Sequence, residues 1–469
     1  MIQSYDLAII GAGPAGMAAA IEADAAGLTV ALIDEQPAPG GQIYRSVEAA
    51  DHQRLAVLGK DYAAGLDLVA AFRASGITYI PSGTVWNIED SYTIDYARAG
   101  TSDRISAKSV LVASGAVERA MPLPGWTLPG VTTAGALQIL LKAHGAINDD
   151  VVLAGSGPLI YLIAFQMIKA GAPPRAIVDM GQSMPVRAVL NHLPGALKGW
   201  RYLAKGLRLL RDIKKADIPF YHKASNVRIE GEGSVQGISF DHRGRPIHLA
   251  TSSVALHQGV VPNQQITRLL RCKHEWNGDQ RCFVPVLDHF GESSVPGVFV
   301  AGDGAGIAGA VSAALRGRIA ALKVAERSGR GNGERLTQLI AELGKDSAVR
   351  PLLESIYAPS EEVLFPDDKT IVCRCEEVTA GDIRRNIALG VQGPNQLKSF
   401  LRCGMGPCQG RVCGLPVTEI IARERGEDPQ TIDYYRIRPP LKPLVLSELA
   451  AVHGEGAMSN TKKETEVHD

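Results

Sequence analysis

The chain has 469 residues, 45% of them hydrophobic and only 5% aromatic, and its length exceeds one ordinary core. Its formal net charge is zero, so no basic excess is present for binding nucleic acid. Its first residues lack the basic start of a secretory signal, and its longest apolar run, Val151 to Ile168, is broken by glycine, serine and proline, so no transmembrane segment is expected.

In chain order, Leu7 to Ile10 reads as a strand, Gly11 to Gly16 as a turn, and Gly16 to about Ala26 as a helix. Leu28 to Ile33 follows as a second strand. Gly11, Gly13 and Gly16 form G-x-G-x-x-G, with Pro14 and Ala15 between. The first glycine permits the tight turn, the second lets backbone reach a pyrophosphate, and the third packs helix on strand. Asp34 and Glu35 end the second strand, where a carboxylate would meet ribose hydroxyls. Spacing favours Asp34 and keeps Glu35.

Thr84 to Tyr96 and Val227 to Leu249 alternate and carry turn residues, as antiparallel ribbons do. Between them, Val151 opens a second strand–turn–helix unit with Gly155, Gly157 and an acid, Asp179, ending the next strand. Ile160 stands where a third glycine would sit. Three readings stay open for this unit: a vestigial domain, a regulatory adenine-nucleotide site, or a working NAD(H) site. Trp200 to Lys215 reads as an amphipathic helix with a solvated basic face; a docking surface is the sharper alternative.

A glycine-rich return, Val295 to Asp303, leads into a helix from about Ala308 to Arg327. Five of the seven cysteines then fall between 373 and 413. C-x-C, a gap of 32 residues and C-x4-C give four thiolates, Cys373, Cys375, Cys408 and Cys413. Such a set suits a [2Fe–2S] cluster or a structural zinc, with free thiols as the bland alternative. The tight C-x-C favours iron. Cys403 is expected near the cluster as a non-ligand, and Cys272 and Cys282 are set aside as ordinary thiols. From His453 onward apolar content nearly vanishes, and disorder is expected.

The glycine motif resembles that of the two-dinucleotide-binding flavoproteins, the group of glutathione and thioredoxin reductases. So do Pro39-Gly40-Gly41-Gln42, Leu111-Val112-Ala113-Ser114-Gly115 and Ala301-Gly302-Asp303. The resemblance implies FAD rather than NAD at the first site, with Gly41, Gln42, Gly115, Gly302 and Asp303 joining the glycines. The redox cysteine pair of the disulfide reductases is missing. The cysteine segment resembles the bacterioferritin-associated-ferredoxin type of [2Fe–2S] domain. Together with Gly125-Trp126-Thr127-Leu128-Pro129-Gly130 and Arg438 to Pro443, these motifs resemble one family. It is the larger subunit of heteromeric opine oxidases, hydrogen cyanide synthase and (hydroxy)proline dehydrogenases.

The expected fold is α/β, glutathione-reductase-like, with a C-terminal [2Fe–2S] domain. The expected division is 1–145 with 250–328 for FAD, 146–249 for the second nucleotide domain, 329–368 as linker, 369–428 for the cluster, and 429–469 as extension and tail. The resemblance implies an FAD-dependent oxidoreductase acting on CH–NH donors. Its partner would be a smaller flavoprotein subunit that oxidises the substrate, joined by a small third subunit where the complex has one as the group often does, in the cytoplasm or at a membrane through the complex. No catalytic residue is assigned. The rivals are a stand-alone NAD(P)H-dependent reductase and an iron–sulfur sensor that uses FAD structurally.

Overall fold

The computed structural model describes residues 2–181, 195 and 200–451. The expected tail from His453 lies outside them.

The first sheet runs in the order Thr78–Pro81, Val30–Asp34, Gln3–Ile10, Thr101–Val112, Thr93–Arg98 and Thr84–Ile88. Val298–Val300 also pairs with Thr101–Val112. The nucleotide-binding half is parallel, with Ile9 opposite Leu32 and Leu111. Val30–Asp34 is buried at every position, as a parallel strand covered on both faces must be. The edge Thr84–Arg98 is the expected antiparallel ribbon.

Helices Pro14–Ala25 and Ala310–Arg327 pack against each other because small residues meet there. A Cβ on Gly317 would stand 2.1 Å from the Ala15 carbonyl oxygen, and one on Gly302 would stand 3.0 Å from Ala15 Cβ. Contact this close places the Ala301–Asp303 turn beside the first glycine motif, although nearly 290 residues of chain lie between them.

The second sheet is five-stranded and parallel: Phe220–His222, Ala176–Asp179, Val151–Ser156, Ser253–Gln258 and Val131–Thr133. The expected span 146–249 is narrower than this sheet, which takes in strands on either side of it. The chain crosses between the two units through the antiparallel pair Ala116–Glu118 and Val260–Pro262. Ser225–Glu230, Gly237–His242 and Arg245–Ala250 form the second ribbon.

Helix Gly333–Ser347 opens the segment read as a linker, and buries Leu339 against Leu315, Ile319 and Leu322. The cysteine domain is a short hairpin, Ile371–Cys373 with Val378–Thr379, followed by helices Ala380–Ala388, Pro394–Leu401 and Gly414–Arg425. Thr379 and Asp382 close the first of these with a capping box. One continuous apolar core joins this domain to the flavoprotein half, running from Ile94 and Val110 through Phe283 to Ile420 and Ile421. Cys272 and Cys282 are buried in it as free thiols. No helix of the described residues is long and apolar enough to cross a membrane.

Candidate cofactor sites

Gly11 has φ +108°, and a Cβ there would stand 2.5 Å from the Ala113 carbonyl oxygen, so only glycine allows the neighbouring strand so near. A Cβ on Gly16 would stand 1.9 Å from the Gly11 oxygen. Gly13 is different. Its φ of −76° suits any residue, and its nearest neighbour would be Gly41 Cα at 3.9 Å. Space is therefore open at Gly13, at the start of helix Pro14–Ala25, whereas a Cβ on Gly41, which has φ +59°, would stand 2.8 Å from Gly13 Cα. That helix has no side-chain cap and no acid in its first turn. Its free N–H groups and dipole suit a pyrophosphate.

The two acids at the strand end part ways. Asp34 is buried: Oδ2 accepts from Ala12 N–H, and Oδ1 accepts from Gln36 N–H at 2.6 Å. Burial lifts its carboxyl above the ordinary carboxylate range against these two bonds. Asp34 thereby ties the glycine turn to its own strand. Glu35 is exposed, and its carboxylate pairs with Lys442 from the C-terminal extension. Arg45 Nε is buried without a hydrogen-bond partner among the described residues. An unpartnered N–H on a guanidinium close enough to interact with Asp34 fits an anionic cofactor.

Asp303 follows the close-packed Gly302, and its Oδ1 accepts from Ala308 and Gly309 N–H at 2.9 and 3.0 Å. Gly115 accepts from Asn263 N–H at 3.0 Å and lies beside Gly304. Gln42 gives its backbone carbonyl to Lys142 Nζ at 2.9 Å. Lys142 is buried and also donates to Gln138 at 2.9 Å; Gln138 in turn donates to Gln166. Burial pulls the Lys142 ammonium down to about 7. Lys142 carried no sequence signal, because the Gln42 carbonyl that it meets lies 100 residues away in the chain.

The second unit copies the first in part. Gly155 has φ +133°, with the His257 carbonyl oxygen 1.8 Å from its virtual Cβ. Where Gly13 faces open space, Gly157 faces the His257 ring at 3.3 Å. That ring is held by Glu118 at 2.7 Å, and Glu118 also accepts from Gly135 N–H. Ile160 fills the core with Leu153, Ile163 and Ile177, a burial worth about 1.5–3 kcal/mol. Asp179 is engaged by Gly181 N–H, Tyr161 Oη and His222 Nδ1.

In the cysteine domain, the sulfurs of Cys373, Cys403 and Cys413 all lie within 4.8 Å of one another, and all three residues are buried. Cys403, expected to be a non-ligand, is inside this group. Cys375 and Cys408 lie outside it and interact with each other as a separate, more exposed pair. Arg402, with φ +56°, ends helix Pro394–Leu401 and turns Cys403 inward. Cys413 sits at the uncapped start of helix Gly414–Arg425. Hydrogen bonds from Cys403 and Cys413 bring the Cys373 thiol down to about 2. Soft donors, burial and a positive helix end fit an iron–sulfur cluster.

Residues 371–423 match the BFD-like [2Fe-2S] binding domain, and residues 5–329 match the pyridine nucleotide-disulphide oxidoreductase family. The chain is 45% identical to the A-subunit of opine oxidase from Rhizobium meliloti over 95% of this chain and 87% of that one. It is 44% identical to the same-named subunit of Agrobacterium tumefaciens (strain Ach5), over 95% and 91%. It is 30% identical to hydrogen cyanide synthase subunit HcnB of Pseudomonas aeruginosa, over 94% and 97%. The crystal structure of L-proline dehydrogenase from P. horikoshii shares its fold, with a TM-score of 0.70 and 18% identity over 96% of this chain and 80% of that one. The chain belongs to the pyridine nucleotide-disulphide oxidoreductase family, together with HcnB and the opine oxidase A-subunits, and its own cofactors are FAD and a [2Fe–2S] cluster.

Proposed function

We propose that this chain is the electron-relaying subunit of a heteromeric dehydrogenase that oxidises an opine, imino acid or amino acid. A partner flavoprotein subunit would convert the donor's C–N single bond to C=N, releasing two electrons and two protons. FAD supplies two-electron chemistry in this chain and the cluster supplies one-electron transfer.

Gly11, Gly13, Pro14, Ala15, Gly16, Gly41, Gln42, Gly115, Gly302 and Asp303 would hold FAD, with Glu35 on the ribose and Arg45 facing the anionic part. Asp34 would hold the turn. Cys373, Cys375, Cys408 and Cys413 would hold the cluster. The flavin unit would end near Gly115 and resume near Asn263, with the second nucleotide unit between. The cluster domain would span 369–428.

The observation that carries the relay is the seating of the cysteine loop on the flavin unit. Gln265 Nε2 donates to the Gln409 carbonyl at 3.4 Å. Arg411, Leu415 and Tyr434 face Val117, Pro262 and Asn263 across a small cleft. Asn263 in turn is bonded to Gly115. These contacts link the residues proposed for the two cofactors and support a short electron path between them. Among the described residues the second unit keeps His257 against Gly157, which argues against a working NADH site there.

Anaerobic stopped-flow tests the proposal. Opines, proline, hydroxyproline and glycine should bleach this flavin only with the smaller subunit present, and NADH should not bleach it. Rapid bleaching of the isolated chain by one of those donors would place the oxidation site here. Rapid bleaching by NADH would favour a stand-alone reductase.

A further inference from the structure

We propose that Cys403 is a reserve ligand of the cluster, able to replace Cys413 or Cys373 on the buried iron. The inference rests on the reading of this domain as the [2Fe–2S] site. A [2Fe–2S] cluster takes four thiolates, two on each iron. Five cysteines are gathered here, so one is in excess. The excess falls on one side only. Cys373, Cys403 and Cys413 form the buried group, while Cys375 and Cys408 stand apart.

Spacing makes the exchange possible. With metal–sulfur bonds of about 2.3 Å, two thiolates on one tetrahedral metal sit about 3.8 Å apart. Three sulfurs all within 4.8 Å of one another can supply that pair in any combination, with side-chain motion alone. The Tyr435 hydroxyl lies 3.9 Å from Cys413 Sγ, and the same ring lies against Gly404, next to Cys403. The buried tyrosine therefore walls in both candidates and keeps the unused thiol beside the metal. Among the described residues no third thiol joins Cys375 and Cys408, so that iron has no reserve.

The test is alanine replacement, because alanine offers no substitute ligand. Iron and acid-labile sulfide per chain, and the electron paramagnetic resonance of the dithionite-reduced protein, are read on the full chain. FAD content and far-ultraviolet circular dichroism report folding. Cys413→Ala should retain about two irons per chain with an all-thiolate signal. Cys373→Ala should behave alike and serves if the first variant folds poorly. Cys408→Ala should lose most of its iron, as should Cys413→Ala combined with Cys403→Ala. If folded Cys413→Ala and Cys373→Ala lose iron as completely as Cys408→Ala, the reserve role is wrong. Wild-type protein holding zinc and no iron would overturn the cluster reading itself.

Discussion

The Arg281 guanidinium grips the Glu419 carboxylate with two parallel hydrogen bonds, Nε at 2.9 Å and Nη2 at 2.5 Å. Arg281 belongs to the flavoprotein half, and Glu419 lies in helix Gly414–Arg425, which begins at Cys413. The Glu419 side chain is 2% exposed and that of Arg281 31%. A fork of this kind fixes angle as well as distance. It sets how the cluster domain sits on the flavin unit. Trp126 Nε1, donating to the Ile371 carbonyl at 2.7 Å, pins the other end of the same domain.

Arg281→Met should therefore strand a buried carboxylate and destabilise the interface by roughly 3 kcal/mol. Hydrogen exchange along residues 414–425 should accelerate, while exchange along residues 3–10 stays slow. Adding Glu419→Met should recover much of the loss, because two apolar side chains suit the surrounding core. No recovery in the double variant would mean that Arg281 acts through other contacts.

Gly13→Val should fold and lose FAD, since its φ suits valine and only the open cradle is filled. Gly16→Ala should instead fail to fold properly, since its Cβ would overlap the Gly11 oxygen. Flavin absorbance and circular dichroism separate the two effects. Stoichiometric flavin in folded Gly13→Val would show that the cradle is not the FAD site.

The strand-end acids should separate in the same way. Asp34→Asn turns an amide N–H₂ toward either Ala12 or Gln36 N–H, and should cost about 1–3 kcal/mol of stability. Glu35→Gln should leave the melting temperature nearly unchanged and weaken FAD retention. Titrating apoprotein with FAD measures the second effect. Equal FAD affinity in Glu35→Gln and wild type would remove the ribose role.

Lys142 makes stability depend on pH. Its native pKa is about 7, and the unfolded chain holds the proton until about 10.4. Between these values the unfolded state binds more protons, so this group's contribution rises with pH. It is full above the unfolded pKa and is lost as pH falls to about 7. Its size is on the order of a few kcal/mol. Lys142→Met should flatten the rise in melting temperature between neutral and alkaline pH. Parallel curves for variant and wild type would exclude Lys142 as the source.

Local sequence was enough for the glycine turns, the order of strands and helices around them, and the cysteine-rich domain. These follow from neighbours in the chain: a positive φ needs glycine, a helix start needs free N–H groups, and a strand shows its periodicity locally. Long-range packing settled the rest. It buried Asp34 under Ala12 and left Glu35 to Lys442, some 400 residues away. It drew Val131–Thr133 and Ser253–Gln258 into the second sheet, because a parallel strand pairs by register rather than by proximity in sequence. It turned His257 against Gly157, and it carried Cys403 in among Cys373 and Cys413. Spacing can count thiols, but which sulfurs meet depends on how helices Pro394–Leu401 and Gly414–Arg425 pack, and that packing is set by the core they share with residues hundreds of positions earlier.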